Sequence, residues 1–415
     1  MPQIQKGLSA FMTKSILNVY KLGQFLGLLV VCSCASTLES PSTLRPGNLP
    51  ADVTMNQNAG RGRLIIVPIR LETGEELPFV LDTGASGTCF DKSLEPTLGT
   101  RLDTGTSWHF GHKLDAGEYA APKLYCGHSL LLMTGPIIVT HDLKQLIPGH
   151  RVMGILGMDV LAHYCIQLDF AANKLRFLDD QHASTNGWGQ PFSMTDSGSG
   201  CFRINENLGG GNGPGSLIDT GCLDDGWLTP ALFQRWTNQA TLATNSQVRA
   251  PIGKLRGECY PEVELQGLEV KQLESGDSHM KFNGIGLPFL SRHLVTLDFP
   301  KRTLYLKRVS VGPLQVKYTR GMIAVGKSGY RFIKRLHKNG QLPGWSKGDR
   351  FATNRANFRY DYDAFDSGTL DFLKKGDSSI YCYTFGRESK SAPWKLHKAW
   401  RADQKGLILQ EYTLP

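Results

Sequence analysis

The sequence predicts an all-β protein in which one lobe occurs twice, followed by a smaller β-rich module, and three observations carry that reading. Gly and Pro together make 67 of 415 residues, about 16%, against a usual ~12%, which calls for many turns between short strands. A short apolar strand runs into Asp-Thr-Gly at Asp82 and again at Asp219, 137 residues later. A second block, Gly157 through Leu175, aligns without gaps on Gly286 through Leu304 at an offset of 129. Two motifs repeating at nearly one offset mean an internal duplication, each copy about 120 residues long. The composition, 40% hydrophobic and 20% charged, supports a buried core and excludes both a disordered chain and a polytopic membrane protein.

Taken in order, residues 1–36 read as a leader. Lys14 and Lys21 precede the apolar run Phe25–Val31, which ends in Cys32-Ser33-Cys34. The run is too short to span a bilayer and has the layout of a secretory signal. Val31-Cys32-Ser33-Cys34 resembles a bacterial lipobox, so Cys34 is a candidate for lipidation, with plain cleavage nearby as the other reading. The expectation is an exported protein, periplasmic, held to a membrane by an N-terminal lipid, or secreted. Residues 37–60, rich in Ser, Pro, Asn and Gly, read as a tether.

The first lobe is expected over 61–180. Leu64–Leu71 reads as a strand, Thr73-Gly74 as a turn, and Leu77–Leu81 as the returning strand that delivers Asp82. In the second lobe, 190–310, Cys201–Ile204 is a strand, Gly209–Gly215 a glycine-rich connection, and Ser216-Leu217-Ile218 leads into Asp219. Asp169 and Asp298 precede turns and read as scaffold carboxylates bonding backbone N–H groups.

Two strand-borne carboxylates about 3 Å apart cannot both ionise; they share a proton and titrate as a pair. The ionised member takes a proton from water, which attacks a peptide carbonyl, while the protonated member donates to the carbonyl oxygen. Gly84 and Gly221 let backbone approach the pair, and Thr83 and Thr220 are placed to lock the halves together. The following residues, Ala85 and Cys222, offer no strong donor, so the shared proton is held more firmly than beside a serine and the expected pH optimum is mildly acidic. Asp103-Thr104-Gly105 spells the motif a third time. Asp103 lacks the apolar strand, and its spacing is wrong: Gly157 lies 75 residues beyond Asp82 and Gly286 lies 67 beyond Asp219, but Gly157 is only 54 beyond Asp103. Asp103 is therefore placed in a surface turn near a flap.

Phe79–Ser86 and Gly154–Asp159 resemble the retropepsin-like aspartic proteases, especially bacterial members with Asp-Thr-Gly-Ala-Ser. The resemblance covers residues 61 to about 310. It implies a bilobal retropepsin/pepsin-like acid protease fold and an aspartic endopeptidase acting on peptide or protein substrates. It further implies no cofactor, no metal, and a monomer whose pseudo-twofold lobes contribute Asp82 and Asp219. The second copy departs from the pattern at Cys222-Leu223-Asp224 and Gly284-Ile285-Gly286. The alternative is an exported peptide-binding protein on the same scaffold without the chemistry.

The last region, 315–415, is basic: residues 311–415 hold 19 Lys and Arg against 9 Asp and Glu. The basic residues form no run longer than two and read as a solvated surface, with no nucleic acid expected. Tyr330–Leu336 reads as a strand, and Leu342–Phe351 resembles the small-residue helix and Gly-Asp strand entry of a PDZ domain. That resemblance implies capture of a peptide C-terminus, with Gly321, Met322 and Ile323 as the carboxylate-binding loop. Trp394 and Trp400 read as buried anchors. Beyond the leader, Cys89, Cys126, Cys165, Cys201, Cys222, Cys259 and Cys382 form no CxxC pair, so no zinc site is expected and buried thiols are the main reading.

Overall fold

The computed structural model describes residues 31–32, 49–109, 112–147, 152–210, 213–237, 242–243, 247–268, 281–353, 356–362, 366–403 and 408–414. Nearly all of the expected leader, Cys34 included, lies outside the described residues. The chain is mostly β, as its turn-rich composition predicts, and divides into two compact units: one covers both expected lobes up to Val316, the other runs from Lys317 to Pro415.

In the first half of the larger unit, β1 (Ile66–Leu71) and β2 (Glu76–Leu81) form the expected hairpin, with Val67 opposite Phe79. Val67, Ile69 and Leu71 alternate into the core, as a half-buried strand requires. Gly74 takes φ +87 in the turn, a conformation that favours glycine. β3 (Cys89–Asp91) follows, then the long hairpin β4 (Asp103–His109) and β5 (His112–Ala120), and then β6 (Ile137–His141), antiparallel to β5 and parallel to β3. β7 (Gly154–Leu156) inserts parallel to β2 and antiparallel to β3. The short helix α1 (Met158–Leu161) leads to β8 (Cys165–Asp169) and β9 (Lys174–Leu178).

The second half repeats this plan. After β10 (Gln190–Asp196) and β11 (Phe202–Ile204), β12 (Ser216–Asp219) carries the second Asp-Thr-Gly. β13 (Gly226–Leu228), α2 (Pro230–Thr237), and the hairpin β14 (Gln247–Leu255) and β15 (Glu258–Gly267) follow. β16 (Asn283–Gly286) then inserts parallel to β12 and antiparallel to β13 as β7 does beside β2 and β3, and α3 (Leu287–Leu290) leads into β17 (His293–Asp298) and β18 (Thr303–Arg308).

The halves join through β8 and β17, which pair antiparallel with Gln167 opposite Thr296. These residues stand 129 apart, the offset of the repeat, so the pseudo-twofold relation passes between them, and Gln167 Nε2 donates to Thr296 Oγ1 at 3.0 Å. One apolar core runs through both halves, including Phe79, Leu81 and Phe90 from the first and Ile218, Leu228 and Ile285 from the second.

Two expectations are corrected. The tether does not extend to Gly60: Val53–Thr54 pairs with Lys174 and Leu175 of β9, Met55 and Ala59 are buried, and Gly60 O accepts from Ser291 Oγ at 2.7 Å. A Cβ on Gly60 would stand 2.3 Å from the Ser291 Cβ, so this glycine serves close packing, not flexibility. In the basic unit, Tyr330–Leu336 is not a strand but the middle of α4 (Arg320–Lys338), and Gly321, Met322 and Ile323 form its first turn, not a loop. Met322, Val325, Phe332 and Ile333 are buried along one side, which is helical spacing, and Thr319 caps the start by accepting from Met322 N. Gly326 and Gly329 continue the buried face: a Cβ there would strike the rings of Phe358 and Phe385. The helix packs on an antiparallel meander of β19 (Asn357–Tyr362), β20 (Asp366–Leu373), β21 (Ile380–Gly386), β22 (Lys395–Ala402) and β23 (Ile408–Glu411), paired in sequence order. Trp400 is buried and Trp394 packs edge-on against Phe385.

Candidate active site

Asp82 directly follows β2 and Asp219 ends β12, each beside the parallel strand inserted next to it: Asp82 N donates to Leu156 O at 3.1 Å, and Asp219 lies opposite Gly286. Both aspartates are fully buried. Four hydrogen bonds cross between the two loops. Thr83 Oγ1 donates to Ile218 O at 2.7 Å and accepts from Thr220 N at 3.1 Å; Thr220 Oγ1 donates to Leu81 O at 2.8 Å and accepts from Thr83 N at 3.0 Å. Each hydroxyl thus ties the backbone of one lobe to that of the other, and the symmetry of the bonds places the aspartates face to face.

The glycines finish the approach. A Cβ on Gly84 would lie 2.5 Å from Asp219 Oδ1, and one on Gly221 would lie 2.4 Å from Asp82 Oδ2, so no side chain fits at either position. Asp82 Oδ1 accepts from Gly84 N at 2.8 Å; Asp219 Oδ1 accepts from Gly221 N at 2.7 Å and Cys222 N at 3.1 Å. Asp82 Oδ2 and Asp219 Oδ2 receive no hydrogen bond from another described group, and the two carboxyls stand close enough that each influences the other's proton. Burial pushes both carboxyls above the ordinary carboxylate range, and the charge of Asp219 pushes Asp82 further; the backbone N–H groups oppose this without cancelling it. A pair so placed holds one proton and presents one acid and one base on adjacent oxygens.

The residues after each Asp-Thr-Gly give the dyad only backbone donors. Ala85 has no hydroxyl, and Cys222 Sγ turns toward Asp224 O at 3.6 Å, with its thiol held well above its usual range mainly by burial. The departures in the second copy leave the placement of Asp219 intact. They change what braces its loop. In the first lobe, Asp159 of α1 accepts from Thr88 N at 2.9 Å and from Thr88 Oγ1 at 2.7 Å, with burial raising its carboxyl to about 6. In the second, Asp225 pairs with Arg292 at 3.0 Å on both carboxylate oxygens, and Arg292 is fully buried. Burial raises Asp225 to about 6 despite that partner.

In the first half, the β4–β5 hairpin is anchored where Ser107 Oγ meets His141 Nε2 at 2.9 Å in a buried contact. Its counterpart is short: Leu242–Ala243 pairs with Arg249 and Val248 of β14. Asp103, the third motif, is exposed at the first residue of β4 and opposite Glu118, within a strand, not the expected turn; it does not join the dyad. Among the described residues no cluster of His, Cys, Asp or Glu is arranged to hold a metal ion. Cys126, Cys165, Cys222 and Cys382 are buried free thiols.

No protein-family model matches the chain, and no curated protein matches it. The functional reading therefore rests on the geometry. Sequence reasoning missed the two braces, Thr88 with Asp159 and Asp225 with Arg292. The signal for the first was present, because Thr88 follows Asp82 by six residues and Asp159 follows Gly157 by two; only the insertion of β7 beside β2 brings them together.

Proposed function

We propose that this protein is an aspartic endopeptidase of retropepsin-like, bilobal architecture, in which Asp82 and Asp219 form one intramolecular dyad. The observation that supports this reading most is the crossed threonine network that holds two buried carboxyls against each other. In the reaction, the singly protonated dyad binds a water; the ionised carboxylate takes its proton as the oxygen attacks the peptide carbonyl, and the protonated carboxyl hydrogen-bonds to the carbonyl oxygen. The tetrahedral intermediate collapses when the dyad returns a proton to the leaving amine. The β4–β5 hairpin is placed in this reading to close over an extended peptide and exclude water. Export, as the leader suggests, belongs to the proposal, with lipidation of Cys34 as one form of it. Peptide capture by the basic unit does not, because the residues expected to bind a terminal carboxylate lie in the capped first turn of α4.

Incubation with a diverse peptide pool, with and without a pepstatin-type inhibitor and in water enriched in oxygen-18, tests the proposal. New C-termini carrying one solvent oxygen, lost on adding inhibitor, are expected. Uncleaved peptides across the pH range from 3 to 8 would leave the scaffold as a peptide-holding protein.

A further inference from the structure

The basic charge of the C-terminal region is not spread over its surface. Helix α4 carries six of the 19 Lys and Arg residues between 311 and 415 and none of the nine acidic ones. Lys327, Arg331, Arg335 and Lys338 follow at steps of four, four and three, which puts them on one side of a helix within about a quarter-turn, and all four are exposed. Arg320 and Ile323 lie on the same side, two turns and one turn earlier respectively, also exposed, Ile323 at 45%. The opposite side is the one buried on the meander. Among the described residues, none of Arg320, Lys327, Arg331, Arg335 and Lys338 forms an ion pair. Lys334, by contrast, folds its ammonium over the Phe351 ring at 3.6 Å. A cationic ridge about 27 Å long, at 1.5 Å per residue, is therefore left without internal neutralisation, although every such charge raises self-repulsion within the unit.

We propose that this ridge docks the protein on a bilayer surface rich in anionic phospholipids. Charge complementarity favours an anionic surface, and the arrangement favours a broad one: the cations stand on the exposed side of a single helix of 19 residues. The apolar end of the ridge separates lipid from nucleic acid. Exposed Ile323 sits in line with the cations, with Tyr318 41% exposed just before the helix. An aliphatic side chain there suits the headgroup boundary of a bilayer, whereas a phosphate backbone offers it nothing. The interaction is electrostatic with a small apolar foot and falls with added salt.

Sedimentation of the full chain with sucrose-loaded vesicles tests this. Vesicles of phosphatidylglycerol and phosphatidylcholine are compared with phosphatidylcholine alone, and the contribution of the N-terminal region, with its own Lys14 and Lys21, is held constant by comparing parent and ridge variants on the same vesicles. Binding to the anionic vesicles should exceed binding to the neutral ones and collapse above about one molar salt, where the Debye length is ~3 Å. Replacing Lys327, Arg331, Arg335 and Lys338 together by Gln should remove the excess, about fivefold for each charge near the surface. A circular dichroism spectrum matching the parent shows that α4 survives the change. A second variant, Ile323→Ser, should lower anionic binding severalfold while leaving salt dependence unchanged. Equal binding to neutral and anionic vesicles, or an excess that survives the quadruple replacement, overturns the proposal. Tighter binding to a DNA or RNA duplex than to anionic vesicles at the same salt also overturns it.

Discussion

Replacing Thr83 by Val is the most informative single perturbation of the fold around the dyad, because the shape is kept and only the hydroxyl is lost. Thr83 Oγ1 makes two of the four crossed bonds, at 2.7 Å to Ile218 O and 3.1 Å from Thr220 N. Both partners are buried backbone groups, and each orphaned group costs ~1–3 kcal/mol. The expected loss of stability is therefore about 2–6 kcal/mol, read as a lower midpoint in urea unfolding with an unchanged slope. Thr83→Ser keeps both bonds and loses one methyl, costing about 1 kcal/mol. Thr220→Val breaks the other half of the network, so the double variant should cost less than the two single ones together, with a coupling of 0.5–3 kcal/mol on the usual scale for shared networks. Cleavage should fall at least tenfold in Thr83→Val, since small displacements of reacting groups are expensive. A Thr83→Val protein within about 0.5 kcal/mol of the parent, the margin of an ordinary surface substitution, would refute the claim that this network holds the lobes.

Three further outcomes are expected. Gly84→Ala should push the Asp219 loop away, lowering the urea midpoint and reducing kcat by roughly a hundredfold or more, measured on any peptide the parent cleaves, because its Cβ would stand 2.5 Å from the buried Asp219 Oδ1. Arg292→Met should destabilise the protein by about 3–5 kcal/mol in the same urea assay, because Asp225 would be left buried without its partner. Burial holds the dyad's proton to higher pH than an ordinary carboxyl, so the active singly protonated state should persist toward neutrality and the pH–rate optimum should be mildly acidic. Ala85→Ser adds a donor that favours the ionised form and should move the optimum down; an upward shift would contradict this account of the dyad.

The dyad was legible because its information is local and duplicated. Each aspartate ends an apolar strand, and the repeat supplies a second copy against which Asp103 can be rejected. Packing is not local, and there the sequence misleads. Gly326 and Gly329 precede the expected strand at Tyr330, yet they are the small positions of α4 that admit Phe358 and Phe385; a periodicity started at Tyr330 misses the buried Met322 and Val325. Val53 and Met55 are too few to show alternation in a polar segment, so their place on the edge of β9 could not be seen. Arg292 gave no sign of its burial, since its partner Asp225 lies 67 residues away and belongs to a loop that looks like a departure from the motif.

The central claim, one catalytic pair shared by two lobes of a single chain, is tested most directly by three conservative replacements assayed side by side on one cleaved peptide. Asp82→Asn and Asp219→Asn each remove a carboxylate while keeping its size, and each should abolish turnover while leaving the unfolding midpoint nearly unchanged or raised, since a buried charge is relieved. Asp103→Asn, on the exposed hairpin, should retain most of the activity. Cleavage that persists in either of the first two variants, or that is lost only with Asp103, would contradict the account.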